Sequence, residues 1–187
     1  NCCLCAISEI MIAAIALDLG STSIKAGLLD QQGRLSGIVS LPVPPVKAED
    51  GRYESDALAY AETAERVLNT CLKQTGELPP LGLCSQRSSF LIWEQASGKP
   101  LTPLISWQDN RGAESCAVLQ AQEPLITGLS GLRLTPYFLA TKLRVVLQQN
   151  PQWRERLLHG ELLVGTLDTF LIWRWTGGMH YLTDVSM

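Results

Sequence analysis

Histidine is scarce in this chain: His159 and His180 are the two among 187 residues, and both are isolated. Cys2 and Cys5 form a C-x-x-C. A structural zinc site needs four ligands, and no partner pair stands near, so the pair reads as part of a frayed end rather than a metal module. Uninterrupted apolar runs of about 18 residues are missing, which excludes a membrane-spanning helix. Basic residues are not in excess: 15 Lys and Arg stand against 18 Asp and Glu, for a net charge of −3. Without a basic stripe, nucleic acid is not an expected partner. The first ten residues, NCCLCAISEI, carry no positive charge, so they do not read as a secretory signal. Met11 is read as the natural start, and residues 1–10 as a leader that is disordered or foreign to the native protein. Cys71, Cys84 and Cys116 lie scattered in apolar contexts and read as reduced core residues, which points to the cytoplasm. Homo-oligomer formation is left open.

What is present is an ordinary globular composition, 46% hydrophobic and 18% charged. Residues 12–19, 24–30 and 35–43 are β-compatible runs. The segment DQQGR at 30–34 reads as the hairpin turn between the second and third. Pro42, Pro44 and Pro45 end the third strand. The segment VKAEDGRYE reads as a polar loop. Ser55 then suits a helix N-cap, and Leu58, Ala61, Ala64, Val67, Leu68, Cys71 and Leu72 give helical spacing to about residue 74. LGLCSQ and SFLIWEQ are short strand candidates. Helices are expected over 111–122, 137–149, after Pro151, and over about 168–174, the last entered from a strand in ELLVGTLD. HYLTD is expected to be extended. Three strands, a helix, further strands and then helices predict a mixed α/β domain.

The stretch ALDLGSTSIKAGLLD, 16–30, places a carboxylate, three hydroxyls and an ammonium within eight residues, between two strands. Gly20 permits a tight bend and close backbone approach. Backbone N–H groups in such a turn form an anion-binding concavity. Ser21, Thr22 and Ser23 add donors, and Lys25 can neutralise phosphate charge. Asp18 can hold a hydrated Mg²⁺, which favours few carboxylates with water and phosphate oxygens. The set suits phosphoryl transfer, where catalysis is mainly positioning and charge stabilisation. A Walker A loop is excluded because the turn joins two strands and lacks G-x-x-x-x-G-K-[ST], and no G-x-G-x-x-G is present. On the residues alone, a plain hairpin with polar turn residues explains the stretch equally well.

DLGSTSIK resembles the first phosphate motif of the sugar-kinase, heat-shock-ATPase and actin superfamily. SQRSSFLIWEQASGKPLTPLISWQDNR at 85–111, SGLRLTPYFLATKLRVVLQQNP at 130–151 and GTLDTFLIWRWTGGMHYLTD at 165–184 are similar, in the same order, to segments of the FGGY carbohydrate kinases. The resemblance runs from about Ile12 to Met187 and takes in residues 11–187 as an N-terminal domain. It implies a ribonuclease-H-like (actin-like ATPase) α/β fold, a mixed sheet opening with a three-strand meander and flanked by helices. It also implies ATP and Mg²⁺ as cofactors and a small-molecule sugar or polyol as acceptor. In the family, ATP sits in the cleft before a second domain of the same fold, so the general base is expected beyond Met187 and no catalytic residue within this chain. Asp18 is assigned to metal; Asp18, Gly20, Ser21, Thr22, Ser23 and Lys25 are assigned to the nucleotide phosphates. Two alternatives are a non-catalytic truncated product and another ATPase of the superfamily, but the second does not account for WQDNR or PYFLATK.

Arg87 offers a planar fork suited to sugar hydroxyls, although by itself it reads as a surface arginine. The family setting Q-R assigns it to the acceptor, with Gln86 and Ser88 shaping the same site. The indole of Trp107 can pack on the C–H face of a sugar, while Trp93, Trp153, Trp173 and Trp175 read as core. Asp109 is read either as an acceptor for a sugar hydroxyl or as an ion-pair partner of Arg111. Tyr137 is matched to a substrate-binding tyrosine; Lys142, Asp168 and Asp184 read as structural. Glycerol kinases of the family carry a glutamate where Ser88 stands, and that difference implies a larger acceptor than glycerol.

Overall fold

The computed structural model describes residues 11–186. The C-x-x-C pair and the leader reading lie in residues 1–10, outside the described residues. Along the chain the elements are β1 (Ile12–Leu19), β2 (Ser23–Asp30), β3 (Leu35–Pro42), β4 (Lys47–Glu49), β5 (Arg52–Ser55), α1 (Ala57–Leu72), β6 (Leu81–Ser85), β7 (Phe90–Glu94) and β8 (Leu104–Ile105). They continue with α2 (Ala113–Leu119), a 3-10 turn (Gln120–Gln122), α3 (Glu123–Ser130), α4 (Leu139–Gln149), α5 (Gln152–Leu158), β9 (Leu162–Thr166) and α6 (Leu167–Trp175). The fold is mixed α/β. The chain divides into two compact units: one runs up to Val43 and includes Thr63–Cys84, the other comprises Pro44–Glu62 and Ser85 onward.

The first unit is built on a four-stranded sheet of order β3-β2-β1-β6. The opening three strands form the expected antiparallel meander. Alternation sets its faces: Ile15, Leu17 and Leu19 of β1 and Ile24, Ala26 and Leu28 of β2 are buried, while Ala16, Asp18 and Lys25 point the other way. The β2–β3 turn is closed by Asp30, whose Oδ1 accepts the Gln32 and Arg34 backbone N–H groups at 2.9 and 2.8 Å, with Gly33 at φ 78°. Ala64, Val67 and Cys71 of α1 are fully buried in the same unit.

The second unit holds a five-stranded sheet of order β4-β5-β8-β7-β9. Its strand β7 is buried on both faces: Phe90 and Ile92 pack with Ile105, Val146 and Leu162, and Trp93 meets Phe170 edge-on at 5.2 Å between ring centroids. Each fully buried side chain of this size contributes about 1.5–3 kcal/mol.

Several local expectations are corrected. VKAEDGRYE is not a loop but the β4–β5 hairpin. Asp50 and Gly51 adopt φ of 50° and 75°, the left-handed pair that matches the twist of a two-residue hairpin turn. Ser55 ends β5, and the cap belongs to Asp56, whose Oδ1 accepts from Leu58 and Ala59 N–H at 2.8 and 2.9 Å. The helix expected over 111–122 is α2 followed by the 3-10 turn, and α3 is an additional helix, closed by Gly131 in the left-handed conformation. HYLTD joins no strand ladder.

Candidate functional site

The stretch around Gly20 sits in the first unit. Asp18 and Lys25 are direct partners across β1 and β2. Both are exposed, and they line a cavity of about 460 Å³ with Ala16, Gly27 and Ile38. The turn between them carries Ser21 and Thr22 exposed and Ser23 half-buried. A Cβ at Gly20 would stand 2.6 Å from the Ser23 carbonyl oxygen, so a side chain there would force the turn open. Among the described residues no group of three or more His, Cys, Asp or Glu is placed to hold a metal. A cation at Asp18 would therefore take its remaining ligands from water and phosphate, as Mg²⁺ does. One carboxylate, a lysine across from it and hydroxyls on a glycine-closed turn fit a phosphate with its divalent cation.

The second unit contains a cavity of about 620 Å³ whose lining includes Gln86, Arg87, Ser88, Trp107 and Tyr137. Three segments bring these side chains together: the turn between β6 and β7, the loop after β8, and the chain entering α4. Ser89, fully buried, joins the first two. Its hydroxyl donates to Gln86 Oε1 at 3.1 Å and accepts the Trp107 N–H at 2.9 Å. Trp107 stacks on Tyr137 with centroids 5.8 Å apart and planes 25° from parallel. Tyr137 is 56% exposed and Arg87 is exposed, so a guanidinium, an indole face and a phenol border one accessible space. The helix α4, which follows Tyr137, lies close against Gly112, where a Cβ would meet Thr141 Oγ1 at 2.5 Å.

Asp109 is placed differently from its reading as a sugar acceptor. It is 1% exposed. Its Oδ2 accepts the Tyr53 N–H at 2.8 Å and Arg111 Nη2 at 2.8 Å, and its Oδ1 accepts the Arg111 backbone N–H and Nε at 3.0 and 2.7 Å. Arg111 also donates to Glu54. Burial pushes the Asp109 carboxyl up, but hydrogen bonds from the Arg111 side chain and from the Tyr53 and Arg111 amides outweigh it and hold it below the usual carboxylate range. With its oxygens so engaged, Asp109 supports the loop rather than facing the cavity. Of the two readings of this residue, the ion pair with Arg111 is the one the geometry provides.

Sequence reasoning passed over Ser89 and gave Lys142 no specific task. Lys142 is fully buried. Its Nζ donates to the carbonyl oxygens of Ser88 at 3.0 Å and Ser106 at 2.9 Å. Burial lowers its pKa to about 8; Asp109 acts to raise it and Arg111 to lower it further. The signal available in the sequence was the lysine itself, on a helix whose neighbours Leu139, Leu143 and Val146 are core residues.

Because the folded-state pKa of Lys142 lies below its unfolded value of 10.5, the unfolded chain holds more protons between the two values. Stability contributed through this group therefore rises with pH over about pH 8–10.5. Urea midpoints of the chain and of Lys142→Met, taken at about pH 7.5 and about pH 10, should differ in that respect: the unaltered chain gains stability relative to the variant at the higher pH. Parallel responses would show that the ammonium is not held in the dry setting described.

A family model described as the FGGY family of carbohydrate kinases, N-terminal domain, matches residues 13–187. The chain belongs to this family. It is 36% identical to an apulose kinase of Pectobacterium atrosepticum and 37% identical to a glycerol kinase of Cereibacter sphaeroides; each match covers 92% of this chain and 36% of the relative. This FGGY chain thus spans about a third of the length of these curated relatives. Among solved structures, the glycerol kinase of Plasmodium falciparum with ADP superposes with a TM-score of 0.81 at 25% identity, over 89% of this chain and 35% of that one. A ligand-bound xylulose kinase of Lactobacillus acidophilus has the same fold, with a TM-score of 0.74 at 20% identity, over 86% of this chain and 32% of that one. Among the described residues of the FGGY chain no helix is long and apolar enough to cross a membrane.

Proposed function

We propose that this chain supplies the acceptor site and a phosphate-binding turn of an ATP-dependent kinase that acts on a hydroxyl of a sugar or polyol. The observation that carries the reading is the cavity in the second unit, bordered by Arg87, Trp107 and Tyr137. Its chemistry suits a polyhydroxylated ligand. Arg87 donates in a planar fork, Trp107 offers an apolar face to C–H groups, and Gln86 and Tyr137 add amide and phenol hydrogen bonds. In the first unit, Asp18 would hold a hydrated Mg²⁺, while Lys25, the Gly20 turn and the hydroxyls of Ser21, Thr22 and Ser23 would hold phosphate oxygens. ATP with Mg²⁺ supplies the phosphoryl group and the charge neutralisation that its transfer requires.

The acceptor is larger than glycerol. Ser88 lines the cavity where glycerol kinases of the family are expected to carry a glutamate. A serine hydroxyl is shorter and neutral, so two acceptor hydroxyls lose a charge-assisted partner. Asp109 does not replace that partner, because its carboxylate is already engaged. Calorimetric titration of the chain with glycerol, five-carbon polyols, ketoses and aldoses tests both claims. A five-carbon compound is expected to bind about 5- to 100-fold more tightly than glycerol, the equivalent of one hydrogen bond of about 1–3 kcal/mol. Glycerol ranking first would overturn the size argument alone. Absence of binding by every sugar and polyol up to about 10 mM, ten times the upper end of ordinary KM values, would overturn the acceptor site itself.

A further inference from the structure

A buried ammonium is an expensive way to fill space. Leucine or methionine would occupy the volume of Lys142 without desolvating a charge. Its two carbonyl partners are 54 and 36 residues away in sequence, and each belongs to a loop that carries a cavity side chain. Ser88 follows Arg87 directly. Ser106 precedes Trp107 directly. Ser88 also has φ 61°, a left-handed conformation that disfavours a residue with a Cβ by about 1–2 kcal/mol. Bonds from outside hold the turn, among them the Trp107 backbone N–H to the Ser89 hydroxyl at 2.9 Å, and Lys142 Nζ to the Ser88 carbonyl itself at 3.0 Å. Without the lysine bond the Ser88 carbonyl is left to the Ser89 ties alone, and the turn that directs Arg87 loosens. The Ser106 carbonyl accepts from Lys142 Nζ and also from the Asp109 N–H at 3.1 Å, so the loop of Trp107 is pinned at the same cation.

We propose that Lys142 is the positioning residue of the acceptor site: by binding the Ser88 and Ser106 carbonyls at once, it sets the separation between Arg87 and Trp107. The inference rests on the acceptor reading of that cavity. It assigns Lys142 no contact with the acceptor. Its effect travels through two backbone carbonyls, so it should appear in acceptor affinity out of proportion to stability. A merely structural lysine would lower affinity only as far as it lowers the folded fraction.

The test compares the chain with Lys142→Met, Lys142→Gln and Val146→Ala. Val146 is a core residue on the same helix, so its truncation destabilises α4 without touching either carbonyl. Calorimetry with the best acceptor of the panel, at a temperature where each variant is folded, should show Lys142→Met weaker by about 10- to 100-fold, the loss associated with hydrogen bonds to a charged group. Lys142→Gln keeps two N–H donors on a stem one atom shorter and reaches at most one carbonyl, so it should lose less. Val146→Ala should stay within about twofold of the chain. Hydrogen exchange supplies a readout that needs no ligand. Peptides covering residues 86–89 and 106–110 should exchange about tenfold faster in whichever lysine variant folds, with little change in them for Val146→Ala. Equal acceptor affinity in the chain and the lysine variants, or equal losses in Val146→Ala and Lys142→Met, would overturn the proposal. Unchanged exchange in the two loops would do the same. If the chain itself binds no acceptor while both loops loosen as expected, the acceptor reading is what fails, and the carbonyl clamp stands as a structural device.

Discussion

Arg111→Met is expected to cost about 3–5 kcal/mol of folding free energy, the range for breaking one side of a buried ion pair. The Arg111 side chain is 6% exposed and that of Asp109 is 0% exposed. The guanidinium meets both carboxylate oxygens, at 2.7 and 2.8 Å, and also donates to Glu54. Methionine fills much of the same volume but leaves a carboxylate in the interior with only the Tyr53 and Arg111 backbone N–H groups. The penalty is the loss of that carboxylate's paired guanidinium, with only the Lys142 ammonium left to act on its charge, rather than a packing defect. Adding Asp109→Asn to Arg111→Met should therefore recover part of the loss, because the amide is neutral and still offers an oxygen to one of those N–H groups. Urea titration of the two variants checks both statements. A shift below about 1 kcal/mol for Arg111→Met, the ordinary value for an exposed pair, would contradict the buried geometry.

Arg87→Ala is expected to weaken acceptor binding by about 10- to 100-fold, the equivalent of about 1.5–3 kcal/mol for hydrogen bonds involving a charged group. Stability should hardly change, because Arg87 is exposed and surface substitutions away from special features stay within about 0.5 kcal/mol. Arg87→Lys should fall between the two, since an ammonium keeps the charge but not the planar fork. Calorimetry with the preferred acceptor measures all three proteins. Asp18→Ala serves as the contrast: it should remove the Mg²⁺-dependent part of nucleotide binding and leave acceptor affinity as it was. If Arg87→Ala binds the acceptor normally, or if Asp18→Ala loses the acceptor instead, the division of roles between these residues is wrong.

The opening meander was decided by the sequence alone. Period-two alternation over 12–19 and 24–30 and a turn built from Asp30, Gly33 and Arg34 are local signals, readable within a window shorter than the hairpin they describe. The family was equally legible, because four segments in order carried it. Other features were written locally but outweighed by composition. The Asp50–Gly51 pair is a hairpin signal, yet the charged residues around it suggested a loop. Asp56 was a valid cap standing beside Ser55, and only the end of β5 shows which of the two precedes the helix. The short helix α3 contains Gly128 inside, which weakened its helical signal.

The support of the candidate site was decided by tertiary structure. Arg87, Trp107 and Tyr137 could be named from the motifs around them, but nothing local says that they border one cavity. On the chain Asp109 reads either as an acceptor for a sugar hydroxyl or as the partner of Arg111; the choice between them depends on the Tyr53 N–H, 56 residues earlier, and on Glu54, 57 residues before Arg111. Lys142 reads on the chain as structural, but nothing local names what it holds. Its burial and its two carbonyl partners arise only when the chain returns past residues 88 and 106. The physical reason is the same in each case. Strands, turns and caps are selected by interactions among near neighbours. Whether a charged side chain ends in water or in a dry interior is set by what packs over it, and those groups come from distant parts of the sequence.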